Sequence, residues 1–130
     1  TPGFPGFGYG QICEADGLQV GDVQRRCDEA FHSTPRVWGN ADAKAARICL
    51  WTGAAGEAPF ACVARNIDVL VCGEVKYHTA LDATEMGLSI VELGHDVSEQ
   101  VHCPVLVESL MEAGIPQDAI RMMDLPRVWQ

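Results

Sequence analysis

Three apolar runs, each stopped by a glycine, constrain this chain more than anything else in it: "ARICLWTG" ending at Gly53, "IDVLVCG" ending at Gly73 and "LSIVELG" ending at Gly94. Runs this short and this continuously apolar suit strands buried on both faces. The segments between them have helical composition. "EAPFACVARN" (57–66) carries Pro59, which a helix tolerates in its first turn. "KYHTALDATEMG" (76–87) is rich in helix formers and closes on Gly87, a natural helix stop. "VHCPVLVESLMEAG" (101–114) reads as a further helix with Pro104 in its first turn, ending at Gly114, and "AIRMMDL" (119–125) as a last strand. The order from residue 46 is therefore β-α-β-α-β-α-β with short connections. That predicts an α/β fold with a mostly parallel or mixed central sheet and helices packed on it.

The first forty residues add to this frame. "YGQICE" (9–14) is a short strand. "VGDVQRRCDEAF" (20–31) places Val20, Val23, Cys27 and Phe31 on one helical stripe. "TPRVWG" (34–39) is extended, because the residue before Pro35 avoids the helical region. The Pro- and Gly-rich opening, residues 1–6, is expected to be a linker remnant, with residues 7–130 forming one domain released from a longer chain.

With 130 residues the chain can bury a core without disulfides or a structural metal. Nine Lys plus Arg against eighteen Asp plus Glu give a formal net charge of −9, which argues against a module that binds nucleic-acid backbone. No apolar stretch approaches the roughly 18 residues of a membrane helix. The six cysteines show no CxxC or zinc-finger spacing. Three of them lie in apolar runs, and the expectation is reduced, buried thiols in a cytoplasmic protein.

In open α/β sheets, ligands bind outside the carboxyl ends of the strands. Three strand ends therefore matter: "WTGAAGE" (51–57), "CGEVKYH" (72–78) and "GHDVSE" (94–99). The first is a Gly-containing turn whose backbone N–H groups could hold an anion, or simply a tight strand-to-helix turn. It is neither a Walker loop nor GxGxxG. The second offers Glu74, Lys76, Tyr77 and His78. Glu74 could equally be a favourable charge before a helix N-terminus. The third offers His95 and Glu99, four residues apart, so that an imidazole and a carboxylate can point the same way. Those are good ligands for zinc, manganese or iron. The competing reading makes Ser98 or Asp96 a helix N-cap, Glu99 a first-turn acid and His95 a loop residue. His102, three residues beyond Glu99, could add a ligand or lie on a helix surface. No GxSxG elbow, HExxH motif or recognisable Cys/His pair occurs.

Taken together, "IDVLVCGEVKYHTALDATEMGLSIVELGHDVSE" resembles the C-terminal signature of the Nif-three-like proteins. These are the NGG-one-interacting-factor-three family, also called GTP cyclohydrolase 1 type 2 homologues. The family's segment has the form D-V-x-x-[TS]-G-[DE]-x-x-x-H-x-A, followed after a helix and a strand by G-H-x-x-[ST]-E. "GYGQICE" and "ARICLWTGAAGE" resemble its upstream strands, so the likeness runs over about residues 6–126. The chain departs from the family where "TGAAGE" replaces a more glycine-rich turn and where Asp96 follows the motif histidine.

The resemblance implies one lobe of a two-lobed fold with a dinuclear metal centre in the cleft between lobes. His95 and Glu99 would be this lobe's ligands. A histidine pair and an aspartate would come from an N-terminal lobe, and no "HH" occurs in this sequence. Two divalent ions (zinc, iron or manganese) per full-length subunit would then share a water for hydrolase-like chemistry on GTP or another phosphoester. Glu74 and His78 would hold the metal ligands in place from behind or transfer protons, while Lys76 and Tyr77 would orient a phosphate. The resemblance also implies self-association into a ring-like hexamer, with no nucleic-acid or membrane partner. The alternative, from a different class, is a non-catalytic metal- or nucleotide-binding scaffold. A third is an interaction domain in which His95 and Glu99 only stabilise a turn.

Overall fold

The computed structural model describes residues 8–123. They fall into two compact units that divide after Glu99. The linker expected at residues 1–6 and the closing "PRVWQ" lie outside the described residues.

The first unit is a five-stranded mixed sheet with helices on both faces. Its strands are β1 (Gly10–Glu14), β2 (Arg36–Trp38), β3 (Arg47–Trp51), β4 (Val69–Cys72) and β5 (Ser89–Glu92), in spatial order β1-β3-β4-β5-β2. β3, β4 and β5 run parallel at the centre, and β1 and β2 are antiparallel edges. The α/β architecture and the mixed sheet match the sequence reading. The two-residue period of β4 sends Leu70 and Cys72 to one face and Val69 and Val71 to the other, and all four are buried.

Helix α1 (Val20–Phe31) covers the Val69/Val71 face with Val20, Val23 and Cys27. The Asp22 carboxylate accepts from the Gln19 backbone N–H at 2.9 Å, which satisfies an N–H just outside the first turn. Helices α2 (Ala58–Val63) and α3 (Tyr77–Glu85) cover the Leu70/Cys72 face through Ala58, Cys62, Ala80 and Ala83. Small residues let these helices lie close to the sheet. Helix α3 stops as expected: the Gly87 N–H donates to the Thr84 carbonyl and the Leu88 N–H to the Ala83 carbonyl, both at 3.0 Å.

Three expectations need correction. β3 is buried at Ile48 and Cys49, but Leu50 is exposed and Trp51 only half-buried, because β3 pairs with the solvent-exposed edge strand β1. "GHDVSE" is itself helical: α4 runs His95–Gln100, so neither Asp96 nor Ser98 is an N-cap. No strand forms over residues 119–123. A short 3₁₀ turn, Gln117–Ala119, is followed by irregular chain in which Met122 and Met123 are exposed and which pairs with no strand among the described residues. Among its described residues, the other element of the second unit is α5 (His102–Glu112), with Pro104 in its first turn and Val105, Leu106, Leu110 and Met111 exposed.

Candidate functional site

The carboxyl ends of the three parallel strands are tied together by backbone. The Gly73 and Glu74 N–H groups both donate to the Gly53 carbonyl, at 3.0 and 3.1 Å. The Ala55 N–H donates to the Glu74 carbonyl at 2.9 Å, and the Gly94 N–H to the Gly73 carbonyl at 2.8 Å. Ser98 on α4 completes the tie. Its hydroxyl accepts from the Gly53 N–H at 2.8 Å, donates to the His95 carbonyl at 2.8 Å, and is 2% exposed.

This packing explains two of the glycines. Gly53 has φ +64°, and a Cβ there would sit 2.6 Å from Glu99 Oε1 and 3.3 Å from His95 Nε2. A Cβ on Gly73 would run into the Ser98 hydroxyl and the Gly53 carbonyl. The turn "TGAAGE" is therefore a tight strand-to-helix connection. The N–H groups of Gly53 and Ala55 are spent inside the protein, which removes two of the donors an anion would need.

Over this turn lie three side chains. His95 Nδ1 is 3.3 Å from Glu74 Oε1, and His95 Nε2 is 3.1 Å from Glu99 Oε1. The three are half exposed, at 44%, 56% and 54% for His95, Glu74 and Glu99. The Glu74 hydrogen bond, with the charge of both carboxylates, raises the His95 pKa above its ordinary 6.5.

Among the described residues, no group of three or more His, Cys, Asp or Glu side chains is disposed to hold a metal ion. The pair His95–Glu99 nevertheless fits part of a coordination sphere. Zinc–ligand bonds of about 2.0–2.2 Å place two donors of one tetrahedral ion about 3.3–3.5 Å apart, close to the distance between Nε2 and Oε1 here. Glu74 occupies the other ring nitrogen. A carboxylate in that position fixes the tautomer that leaves Nε2 free to coordinate.

The other residues singled out from the sequence spread along the start of α3. Lys76 is its N-cap residue and is exposed. Tyr77 packs edge-on against Trp38, ring centroids 5.8 Å apart, and against His78, 5.4 Å apart. No hydrogen bond or ion pair joins Lys76, Tyr77 or His78 to the His95 cluster among the described contacts.

Two residues were not foreseen in these roles. From the sequence, Ser98 reads only as a helix cap. Glu92, at the end of β5, is 15% exposed and gathers three donors: Trp38 Nε1 at 2.9 Å, the Val75 N–H at 3.3 Å and Arg36 Nη1 at 3.5 Å. A lone acid ending an otherwise apolar run, "SIVE", was the available signal.

All six cysteines are free thiols, four of them buried. Burial pushes Cys27 up to about 11 and Cys72 up to about 12, so both are uncharged packing groups at neutral pH.

The fold and site define a class: one α/β lobe whose parallel strand ends carry a His–Glu pair on the first turn of a helix. The chain belongs to the Duf34/NIF3 (NGG1p interacting factor 3) family, which it matches over residues 6–124. It is similar to a solved protein, ybgI, described as of unknown function, at 20% identity and a TM-score of 0.75, covering 92% of this chain and 48% of that one. It is also similar to a Bacillus cereus protein related to NIF3, at 23% identity and a TM-score of 0.68, with 89% and 36% covered. A third similar structure is reduced HcgD from Methanocaldococcus jannaschii, at 17% identity and a TM-score of 0.69, with 83% and 44% covered. The chain thus spans less than half the length of each of these structures. No curated protein sequence is recognisably similar to it. No helix among the described residues is long and apolar enough to cross a membrane.

Proposed function

We propose that this lobe contributes His95 and Glu99 to a dinuclear divalent-metal centre (zinc, iron or manganese) in a hydrolase-like protein acting on GTP or another phosphoester. The observation that carries this reading is the pairing of Nε2 and Oε1 at 3.1 Å on one helical turn, with Glu74 holding the opposite ring nitrogen. Such a centre, when bound, supplies a water of lowered pKa and neutralises phosphate charge. The remaining work falls to the chain's own residues. Glu74 keeps the His95 ring oriented by accepting a hydrogen bond from its Nδ1–H. Gly53 leaves the space into which Glu99 and His95 reach. Lys76 and Tyr77, exposed at the start of α3, orient a phosphate group, and His78 beside them moves a proton. The missing ligands belong to a second lobe.

The exposed apolar side chains of α5 support a further part of the reading, self-association of the subunit. Free thiols without a disulfide agree with a cytoplasmic protein.

Metal analysis of the full-length protein and of its His95→Ala and Glu99→Gln variants tests the ligand assignment. Loss of metal in both is expected, and full retention in both would sink it. Turnover of GTP and of model phosphodiesters by the metal-loaded protein then separates a hydrolase from a scaffold. Absence of turnover with every divalent ion favours the scaffold.

A further inference from the structure

Glu92 lies outside the His95 cluster, yet its carboxylate joins the edge of the sheet to the turn that carries Glu74. One oxygen, Oε2, accepts from Trp38 Nε1 at 2.9 Å and lies 3.5 Å from Arg36 Nη1. The other, Oε1, accepts from the Val75 N–H at 3.3 Å. Trp38 and Arg36 belong to the edge strand β2, which pairs with β5 through Arg36↔Glu92. Val75 is the residue immediately after Glu74. The side chain is 15% exposed, so these contacts are sheltered from competing water.

The chemistry needs two acceptors pointing opposite ways. A carboxylate has them. An amide of the same shape does not, because its NH₂ end would face either the indole N–H or the Val75 N–H. Arg36 stacks 5.7 Å from the Trp38 ring and so keeps the indole in place.

We infer that Glu92 is a positioning residue. It holds the 73–76 turn so that Glu74 meets His95 Nδ1, and it thereby sets the orientation of the imidazole. The inference deepens the metal-site reading and, for its consequence on metal binding, rests on it.

The test compares the isotopically labelled full-length protein with its Glu92→Gln, Trp38→Phe and Arg36→Gln variants. Three quantities are read: hydrogen exchange at the Val75 amide, the ring ¹⁵N shifts of His95 at alkaline pH, and affinity for Zn²⁺ alone. In Glu92→Gln, Val75 protection should fall by about tenfold. The His95 ring should lose its preference for the Nδ1–H tautomer, and Zn²⁺ affinity should fall by about tenfold or more. Trp38→Phe should act in the same direction with a smaller effect, and it serves if Glu92→Gln does not fold. Arg36→Gln, which loses the 3.5 Å contact and the stacking on Trp38 but leaves the other two donors, should have the smallest effect of the three. A Glu92→Gln chain that is less stable but keeps the wild-type His95 ring shifts would overturn the inference and leave Glu92 a structural residue. If the wild-type full-length protein binds no Zn²⁺, the metal-site reading fails, and the Val75 and His95 signals still decide the role of Glu92.

Discussion

Ser98 stands between His95 and Glu99 in the sequence and beneath them in space, and its hydroxyl is fully committed. Replacing it with alanine leaves the buried Gly53 N–H without an acceptor. Ser98→Ala should therefore cost about 1–3 kcal/mol, read by denaturant unfolding. Gly53→Ala meets two obstacles, a left-handed backbone and a Cβ 2.6 Å from Glu99 Oε1. It should destabilise by about 1–2 kcal/mol from the backbone alone and displace the Glu99 side chain as well. His95 gives the pH-dependent prediction. Its pKa is raised in the folded state, first by the hydrogen bond to Glu74 and then by the nearby Glu99 charge. Its contribution to stability is thus fully present below the unfolded-state value of about 6.5 and is lost as pH rises through the folded-state value. In an NMR titration of the metal-free chain, His95 should titrate above the ordinary value and move down towards it in Glu74→Gln. A wild-type His95 titrating at or below the ordinary value would contradict the contact.

At the scale of elements, the sequence was most legible where one period governed a whole segment. The stripe Val20, Val23, Cys27 and Phe31 marked α1 to its ends, and three glycine-stopped apolar runs located β3, β4 and β5. Legibility failed where the outcome depended on a distant partner. "AIRMMDL" has strand composition, but a strand exists only where another strand pairs with it, and residues 120–123 join no ladder among the described residues. Ser98 reads locally as a helix cap, and only the approach of the Gly53 turn, 45 residues earlier, makes it a tie. The His95–Glu99 pairing was readable from its i,i+4 spacing, whereas the Glu74 contact came from strand order. A second tie of this kind acts at the opposite end of the sheet. Asp68 Oδ2 accepts from the N–H groups of Ala46 and Arg47 at 2.9 and 2.7 Å and so aligns the start of β3 with β4. Asp68→Ala should cost about 2–3 kcal/mol in a chemical unfolding curve, since two donors lose a charged acceptor.

For the molecule as a whole, the core and the candidate site lie in the unit that ends at Glu99, while the exposed apolar residues of α5 lie in the other. Polar substitution on α5 should therefore separate assembly from folding. Leu106→Ser with Leu110→Ser should leave unfolding stability within about 0.5 kcal/mol of wild type, as for other exposed positions. It should also reduce self-association in sedimentation analysis. Unchanged sedimentation would remove α5 from the assembly surface. The net charge of −9 opposes close approach of copies at low salt, so the same measurement should show stronger association as ionic strength rises.

The glycines that let the three strand ends close on one another have a consequence for how this site could ever be altered. A side chain introduced at Gly73 collides with the tie itself, and one at Gly53 strains the backbone and pushes on Glu99 and His95, so the floor of the site tolerates little chemical variety. A library built to change what the protein recognises should leave that floor untouched and diversify the exposed rim positions Ala54, Glu57, Lys76, Tyr77 and His78.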